Sequence, residues 1–507
     1  MTQLTITDMF CGAGGSSTGA TMVPGIEVAI AMNHWARAIE THNTNHPDAL
    51  HIEKDISQYD PRKIFTTDIL WASPSCTNHS VAKGKKRVTH QGALFGEQID
   101  EAADRSRATM WDVVRYAEEH DYKLIFTENV VDAARWLFFD QWLGCMHALG
   151  YEHHIVYMNS MHAQLGGLPA PQSRDRMYVV FWKKGNQRPN FDRLRPKAVC
   201  PEHGLVDALQ VFKKAERWGR YRAQYNFRCP HTSCKNAIVE PGWLPAADAI
   251  DWTLKGQRIG DRDKPLSPKT MARIQAGLDR FGGARLAVDA VRGAPILSDV
   301  DREAFRTQTT SYTRGLLVPV GGRHGKEAQE IAQAMRTQTT RNETGLLGYP
   351  EAYLMRNNTG GAEMTTPVQE TMRTLTTAGH QSLLMPYYGS SKPQGMDKPI
   401  GTLTTVDRYA MVTLRGQNAP KDVYDPLDTF AASGNHHALM GVQPPKVEDC
   451  TFRMLEPHEI MAGMAFPREY VMTGNKREQV KQSGNAVTPP AARDLIMIGA
   501  ESLGVAA

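Results

Sequence analysis

The chain contains 507 residues, of which 41% are apolar and 22% charged, and its formal net charge is +4. This length exceeds a single ordinary hydrophobic core, so we expect at least two domains of globular composition. Seven cysteines without regular spacing argue against a disulfide scaffold and favour a reducing, cytoplasmic setting. The sequence has no apolar run long enough to span a bilayer, so we expect no membrane partner.

The first part of the chain, residues 1–184, predicts an α/β domain with a doubly wound, mainly parallel sheet. Short apolar runs alternate with amphipathic helical stretches; the runs are "LTITDMF", "IEVAIAMN", "DILWAS", "KLIFTEN" and "MYVVFW". Strand, helix and strand in that order are typical of this architecture. Gly12, Gly14 and Gly15 follow the first run, and a glycine-rich turn there lets the backbone approach a nucleotide-like ligand.

Chemically active side chains follow two of these predicted strands. Cys76 comes just after "DILWAS", and Glu128 lies near the end of "KLIFTEN". Because neighbouring parallel strands end at the same edge of a sheet, we expect a nucleophilic thiol beside a carboxylic acid. Desolvation can raise the pKa of an acid at the rim of an apolar site, and such an acid can act as a proton donor. Arg174 and Arg176 alternate in "QSRDR", which predicts two guanidinium groups on one strand face that hold a phosphate or carbonyl, or orient the thiolate.

Beyond Lys184 the sequence changes character, and residues 185–449 are rich in Gly, Pro, Thr and Arg. Residues 183–236 hold thirteen Lys and Arg against four Asp and Glu. Aromatic residues are interleaved with the arginines here, namely Trp218, Tyr221, Tyr225 and Phe227. This combination favours a nucleic-acid-facing surface over a merely solvated face.

Two close pairs of metal-ligand residues lie within about 198–236. Cys200 and His203 form the first pair, and Cys229 and Cys234 form the second. Such pairs suit a tetrahedral structural zinc site. The alternative is a set of unligated loop cysteines.

A Thr-rich unit recurs over about 300–440, with T-x-T-T cores that begin at Thr307, Thr337, Thr374, Thr402 and, in degenerate form, Thr429. An apolar "GLL" or "SLL" often follows, which predicts a recurring β-rich unit. The unit is either a stacking scaffold or a surface that reads a ligand, with Arg306, Arg336 and Arg373 as candidate phosphate or guanine contacts. Globular texture returns near residue 450, so we expect 450–507 to pack on 1–184 and 185–449 to be an insertion.

Six motifs, in order, resemble the motif series of the bacterial or phage-type DNA (cytosine-5) methyltransferases: "DMFCGAGG", "SPSC", "ENV", "QSRDR", "RMLEPHE" and "GNAVTPP". The resemblance implies a Rossmann-like, S-adenosylmethionine-dependent catalytic domain over 1–184 and 450–507, with an inserted target-recognition region over 185–449. It also implies transfer of a methyl group to C5 of a cytosine flipped out of double-stranded DNA, through a covalent adduct between Cys76 and C6.

The resemblance assigns roles to individual residues. Cys76 is the expected nucleophile, Glu128 contacts N3 and supplies a proton, and Arg176 with Arg174 holds the flipped base and its backbone. The expected cofactor residues are Phe10, Gly12, Gly14, His34, Trp35, Asp55, Ile56, Asn485 and Val487. His34 and Ser75 depart from the family pattern, which usually has an acid and a proline at these positions.

Two other functions remain open at this point. An RNA cytosine-5 methyltransferase would share the fold and mechanism, and a catalytically silent DNA-binding protein would share the fold alone. A nucleotide-dependent oxidoreductase that uses Cys76 fits less well, because the dinucleotide-binding fingerprint is incomplete. We expect double-stranded DNA as partner, a companion restriction endonuclease, a monomeric state and a location in the cytoplasm of a bacterial or phage-infected cell.

Overall fold

The computed structural model of the chain describes residues 3–74, 101–251, 253–254, 256–281 and 446–505, and short strands between 286 and 441. Cys76 and the Thr-rich cores from Thr307 to Thr429 lie outside the described residues. The chain forms two compact units. Unit 1 comprises Met1–Ile250, Ala332–Asn342 and Leu455–Ala507, and unit 2 comprises Asp251–Ile331 and Glu343–Met454.

Unit 1 is built on a seven-stranded sheet. Its strands are β1 (Leu4–Met9), β2 (Ile26–Asn33), β3 (Leu50–Glu53), β4 (Ile69–Ala72), β5 (Leu124–Asn129), β6 (Tyr151–Asn159) and β8 (Asp175–Lys183), with the short β7 (Gln172–Ser173) before the last. Their spatial order is β3-β2-β1-β4-β5-β8-β6. The first five are parallel neighbours, and β8 runs antiparallel to β5 and β6. The predicted α/β class with a mainly parallel sheet is confirmed.

Helices of unit 1 pack on both faces of this sheet. The helices, numbered along the chain, are α1 (Gly15–Thr21), α2 (Ala36–Asn45), α3 (Glu101–His120), α4 (Phe139–Ala148), α5 (Pro268–Phe281, in unit 2), α6 (Pro457–Gly463), α7 (Lys476–Asn485) and α8 (Pro489–Ser502). Leu70 and Ile125 belong to one hydrophobic layer with α3 and α4. Trp71 and Phe126, the next residues along the same strands, belong to the opposite layer with α1 and α8. The central strands are therefore buried on both faces, as parallel strands usually are.

None of the helices in the described ranges is both long and apolar enough to cross a membrane.

Residues 185–250 add two small antiparallel pairs to unit 1. β9 (Lys197–Cys200) pairs with β10 (Gly204–Asp207), and β11 (Leu209–Phe212) pairs with β12 (Tyr225–Arg228). Tyr225 and Phe227 are only 1% and 6% exposed, and Trp218 and Tyr221 pack partly buried against the same core. The prediction that these aromatic side chains face a nucleic acid is therefore wrong for Tyr225 and Phe227, because the alternation of β12 turns them inward.

Unit 2 is rich in short strands. They are β13 (Gln257–Arg258), β14 (Leu286–Asp289), β15 (Ile296–Asp299), β16 (Gly315–Pro319), β17 (Gln329–Glu330), β19 (Thr344–Gly348), β20 (Tyr353–Arg356), β21 (Thr365–Pro367), β22 (Gln381–Leu384), β23 (Tyr409–Thr413), β24 (Lys421–Asp422), β25 (His437–Gly441) and β26 (Thr451–Met454). Five of them form an antiparallel sheet in the order β13-β26-β19-β16-β17. The two "GLL" sequences lie in β16 and β19, where Leu316 is opposite Leu347.

One Thr-rich repeat contributes to unit 1 instead. Its strand β18 (Met335–Arg336) pairs in parallel with β7, so Met335 is opposite Gln172. Met335 is fully buried, and its backbone N–H donates to the carbonyl of Pro171 at 2.6 Å. The second repeat therefore begins directly beside the "QSRDR" motif.

Candidate active site

The carboxyl ends of five parallel strands line one edge of the unit 1 sheet. The predicted cofactor residues Phe10, His34, Trp35 and Asp55 lie within two residues of the ends of β1, β2 and β3. The backbone N–H of Lys54 donates to the carbonyl of Asn33 at 3.1 Å, which holds the ends of β2 and β3 together. In doubly wound sheets, ligands bind at this edge.

The loop from β1 to α1 has an unusual backbone. Phe10, Gly12 and Gly14 have φ values of 59°, 54° and 83°, all in the left-handed region. Phe10 is not a glycine, and such strained conformations concentrate at ligand-binding sites. Cys11 N–H donates to the carbonyl of Met32 at 3.1 Å, which ties the loop to the end of β2. Of the predicted cofactor residues Phe10, Gly12 and Gly14, the last two are thus glycines at positions that need a positive φ.

A residue missed by sequence reasoning supports this loop from the far end of the chain. The hydroxyl of Tyr470 donates to the carbonyl of Ala13. A Cβ on Gly14 would also collide with that hydroxyl and approach the ring of His42 to 3.1 Å. No local pattern around Tyr470 predicts this contact, because it joins segments that are far apart in sequence.

A buried polar chain lies below the same loop. The hydroxyls of Ser16 and Ser17 each donate to Oδ2 of Asp8 at 2.6 Å, and burial raises the pKa of Asp8 to about 6. His42 Nε2 lies 2.9 Å from Ser17 Oγ, and His42 Nδ1 lies 2.8 Å from His51 Nε2. Burial lowers the pKa of His42 well below its usual value, so its ring is neutral at physiological pH. These hydrogen bonds fix the first turn of α1, and the sequence analysis did not predict them.

The remaining predicted cofactor residues are placed along the same edge. Trp35 is half-buried, and its backbone N–H donates to Asn33 Oδ1 at 3.0 Å. Lys481 Nζ lies 4.2 Å from the centre of the Trp35 ring. His34 and Asp55 are exposed, and Asp55 Oδ1 accepts from the N–H of Ser57 at 3.1 Å. Ile56 is buried, Asn485 is exposed at the end of α7, and Val487 is buried with its carbonyl against Gly15.

The predicted acid and one predicted arginine form an ion pair. Arg176 Nε lies 2.8 Å from Oε1 of Glu128, and their side chains are only 12% and 11% exposed. The next residue, Asn129, donates from Nδ2 to the carbonyl of Pro74 at 3.3 Å, so the end of β5 is tied to the segment that follows β4. Cys76, two residues beyond Pro74, lies outside the described residues.

Arg174 has different partners from Arg176. Its guanidinium donates to the carbonyls of Gly484 at 3.3 Å and Ala486 at 3.0 Å, at the C-terminal end of α7. A cation satisfies the last carbonyls of a helix and complements its dipole. The side chain is 3% exposed. Arg174 thus links "QSRDR" to the segment that carries Asn485 and Val487.

The four predicted metal ligands also come together. The ligand atoms of Cys200, His203, Cys229 and Cys234 all lie within 4.8 Å of one another. This cluster lies in the part of unit 1 formed by β9, β10 and the turn after β12.

The glycine loop and the acid–arginine pair thus lie at the carboxyl edge of an α/β sheet, where ligands of doubly wound domains bind. The family model of the C-5 cytosine-specific DNA methylases matches residues 4–228 and 314–497. The match covers more than half of the chain, and the chain belongs to this family.

Two curated relatives share part of the sequence. The Type II methyltransferase M.AgeI of Thalassovita gelatinovora is 25% identical over 183 residues, 34% of this chain and 38% of the relative. The Type II methyltransferase M.HgiDI of Herpetosiphon aurantiacus is 28% identical over 183 residues, 35% of this chain and 52% of the relative. The chain thus spans from about two fifths to about half of the length of these relatives.

Solved structures show a weaker likeness. A putative DNA modification methyltransferase encoded within a prophage of E. coli is 14% identical with a TM-score of 0.44, over 99% of this chain and 100% of that chain. The Entamoeba histolytica methyltransferase EhMeth is 11% identical with a TM-score of 0.42, over 99% of both chains. Neither likeness bears on substrate or activity.

Proposed function

We propose that this protein transfers the methyl group of S-adenosylmethionine to C5 of a cytosine flipped out of double-stranded DNA, through a covalent adduct with Cys76. Family membership supports methyl transfer to cytosine. The observation that carries the proposal is the ion pair between Glu128 and Arg176, at the same sheet edge as the left-handed glycine loop. A protein that only binds DNA needs neither feature.

The proposed chemistry explains why these residue types are present. Carbon C5 of cytosine is a weak nucleophile, so the Cys76 thiolate adds to C6 and the electron pair moves to C5, which takes the methyl group. Solvent water then removes the C5 proton as a base, the C5–H electron pair expels the Cys76 thiolate from C6, and N3 returns its proton to Glu128, which restores the aromatic ring. Glu128, in its protonated form, contacts N3 and supplies the proton there as negative charge develops. Arg176 holds the Glu128 carboxyl in one orientation through its 2.8 Å contact.

The residues of the edge fit S-adenosylmethionine. Phe10 and Gly12 are the half-buried residues of the left-handed loop, Trp35 is half-buried and offers a ring for stacking, and Asp55 offers an exposed carboxylate. Asn485 and Val487 close the pocket from the C-terminal segment. When bound, the sulfonium supplies an electrophilic methyl group. The role of this chain is to orient that group toward the base and to exclude water.

We further propose that residues 185–449 hold the target-recognition function. The short strands that lie between the Thr-rich cores, together with the basic segment 183–236, suit a long duplex. On this proposal the enzyme is a cytoplasmic monomer of a bacterial or phage-infected cell, with a companion restriction endonuclease that cuts unmodified DNA.

The test is transfer of labelled methyl from S-adenosylmethionine to duplex DNA, single-stranded DNA and transfer RNA. We expect label at C5 of cytosine in duplex DNA, lost in Cys76→Ala and retained in Cys145→Ala, which alters a cysteine on α4. Label in RNA alone would replace the proposed substrate by RNA. If the protein binds duplex DNA but labels none of the three nucleic acids, a catalytically silent DNA-binding protein would be favoured.

The covalent step has a separate readout. A duplex with 5-fluorocytosine lacks the C5 proton that must leave, so the adduct should persist on a denaturing gel. We expect this adduct with the parent protein and not with Cys76→Ala. Methylation without a trapped adduct would contradict the covalent mechanism while leaving the activity in place.

A further inference from the structure

We propose that Cys200, His203, Cys229 and Cys234 form a tetrahedral zinc site. The zinc would stabilise residues 197–236, the segment that contains β9 to β12 and contacts the neighbours of Glu128 and Arg176. Binding of the metal is inferred from the geometry of the four side chains alone. The expected effect of zinc on activity rests on the proposed methyl transfer.

Two of the distances among the four donors match those of a zinc-bound set. His203 Nδ1 lies 3.5 Å from the Sγ of Cys200 and 3.6 Å from the Sγ of Cys229. Tetrahedral zinc with bonds of about 2.3 Å to sulfur and about 2.0 Å to nitrogen places such a nitrogen and sulfur ~3.5 Å apart. His203 Nδ1 and the sulfurs of Cys200 and Cys229 are therefore already at the separation that the ion requires.

The histidine is oriented as a ligand should be. Nδ1 faces the cysteines, and Nε2 lies 2.8 Å from the hydroxyl of Ser233. A second hydrogen bond of this kind fixes the tautomer and ring orientation of metal-binding histidines. His231 stacks on the His203 ring at 4.3 Å between centres but does not belong to the converging set. It therefore serves as a matched control residue.

The three cysteines are buried thiols brought in by two turns. Cys200 and His203 flank the turn between β9 and β10, and Cys229 and Cys234 flank the turn after β12. None of the three forms a disulfide with another cysteine of the described residues. Lys235 and Asn236, with φ of 55° and 50°, tighten the second turn, and Asn236 Nδ2 donates to the carbonyl of Cys229 at 3.0 Å. The backbone is thus shaped to keep both pairs pointing at one centre.

A cross-link would add to the packing of this segment on the core of unit 1, because its own elements are small. β9, β10, β11 and β12 are four residues each and form only two-stranded pairs, and a two-stranded pair is marginally stable by itself. A structural zinc ion contributes its binding free energy directly to folding of the segment that supplies the ligands.

The same segment holds both residues of the acid–arginine pair in place. Trp218 Nε1 donates to the carbonyl of Val131 at 3.0 Å, just beyond the strand that carries Glu128. Arg220 pairs with Asp132 at 2.6 Å. The N–H of Tyr221 donates to Asp175, the neighbour of Arg176, at 3.0 Å. Loss of zinc should therefore loosen the ion pair without touching either of its members.

The first experiment measures metal by elemental analysis on the full chain purified without chelator. We expect about one zinc per chain, retained by His231→Ala and Cys145→Ser and lost by Cys229→Ser. Cobalt substitution should give the strong visible absorption of a tetrahedral thiolate site. Parent protein without zinc and without cobalt absorption would overturn the proposal, as would full zinc retention in Cys229→Ser. Intact mass would then reveal a disulfide as the competing use of these cysteines.

A second variant guards against simple misfolding of Cys229→Ser. His203→Cys offers four thiolates, so it should keep about one zinc and strengthen the sulfur-to-cobalt absorption. An unchanged cobalt spectrum would show that His203 is not a ligand and would refute the proposed set. These readouts do not depend on methyl transfer. If zinc is confirmed and the protein methylates no nucleic acid, only the proposed function fails.

Discussion

The contact between α1 and α8 gives a sharp test of how the C-terminal segment supports the cofactor loop. A Cβ on Gly19 would lie 2.5 Å from the carbonyl oxygen of Pro489 and 2.8 Å from the backbone nitrogen of Arg493. It would also lie 2.7 Å from Cβ of Ala492. Real Cβ contacts are longer than this, so Gly19→Ala requires α1 and α8 to move apart.

That movement is resisted because α8 is anchored. Asp494 accepts from the N–H groups of Leu165 and Gly166 at 2.9 and 3.0 Å, and Arg493 donates to the carbonyl of Ala163 at 3.2 Å. Overpacking of this kind costs about 1–3 kcal/mol. Alanine gains about 0.5–1 kcal/mol over glycine inside a helix, which offsets part of the cost. We expect Gly19→Ala to lose about 0.5–2 kcal/mol of unfolding free energy.

Gly144→Ala is the matched control for this change. Gly144 lies inside α4, and a Cβ there would meet no described atom within 4 Å. This variant should gain the same helix propensity, about 0.5–1 kcal/mol, without the clash. The difference between the two variants, about 1–3 kcal/mol, therefore isolates the steric contact between α1 and α8. Urea denaturation of both variants measures it, and a Gly19→Ala protein as stable as Gly144→Ala would refute the close approach.

Three further predictions concern the loop and the ion pair. Because burial raises the pKa of Asp8 to about 6, the folded state binds that proton more tightly than the unfolded chain and loses stability as the pH rises from about 4 to about 6. Asp8→Asn should therefore gain up to about 3 kcal/mol relative to the parent between pH 4 and pH 7, measured by denaturation, and parallel pH profiles would contradict this. Glu128→Gln should lower the methyl-transfer rate about 10²–10⁴-fold with DNA binding unchanged, whereas Glu118→Gln, an exposed change on α3, should leave the rate alone. Tyr470→Phe should cost about 0.5–1.5 kcal/mol and weaken cofactor binding by calorimetry; unchanged affinity would separate this hydroxyl from the site.

The sequence predicts much of the site because its elements are local. A buried apolar run followed by a polar residue places Glu128, Trp35 and Asp55 at strand ends, and parallel pairing brings those ends to one edge. The alternation in "YNFR" also carried the signal that Tyr225 and Phe227 point inward, since alternate residues of a strand share a face. The prediction of a nucleic-acid-facing surface depended instead on the composition of residues 183–236, in which aromatic residues are interleaved with arginines.

The supporting contacts could not be read from the sequence. Tyr470 with Ala13 and Arg174 with Gly484 join residues that are hundreds of positions apart, and no local pattern specifies the pairing. Asp8 looks like an ordinary polar residue of a strand, and only the fold reveals that it is buried under two serine hydroxyls. Such contacts depend on how distant segments pack, which a single sequence does not encode in any short motif.

Three consecutive residues connect the ion pair to the rest of unit 1. Arg174 binds the carbonyls at the end of α7, Asp175 accepts from Tyr221 in the proposed zinc-supported segment, and Arg176 pairs with Glu128. Strand β8 of the seven-stranded sheet begins at Asp175, and β7 before it pairs with β18 in a separate sheet, so Arg174 lies between two sheets. Motion of α7 or of the proposed zinc-supported segment therefore reaches Glu128 through one short backbone stretch. Because residues in one such network couple energetically, changes at Arg174 and at Cys229 should be non-additive in their effect on methyl transfer.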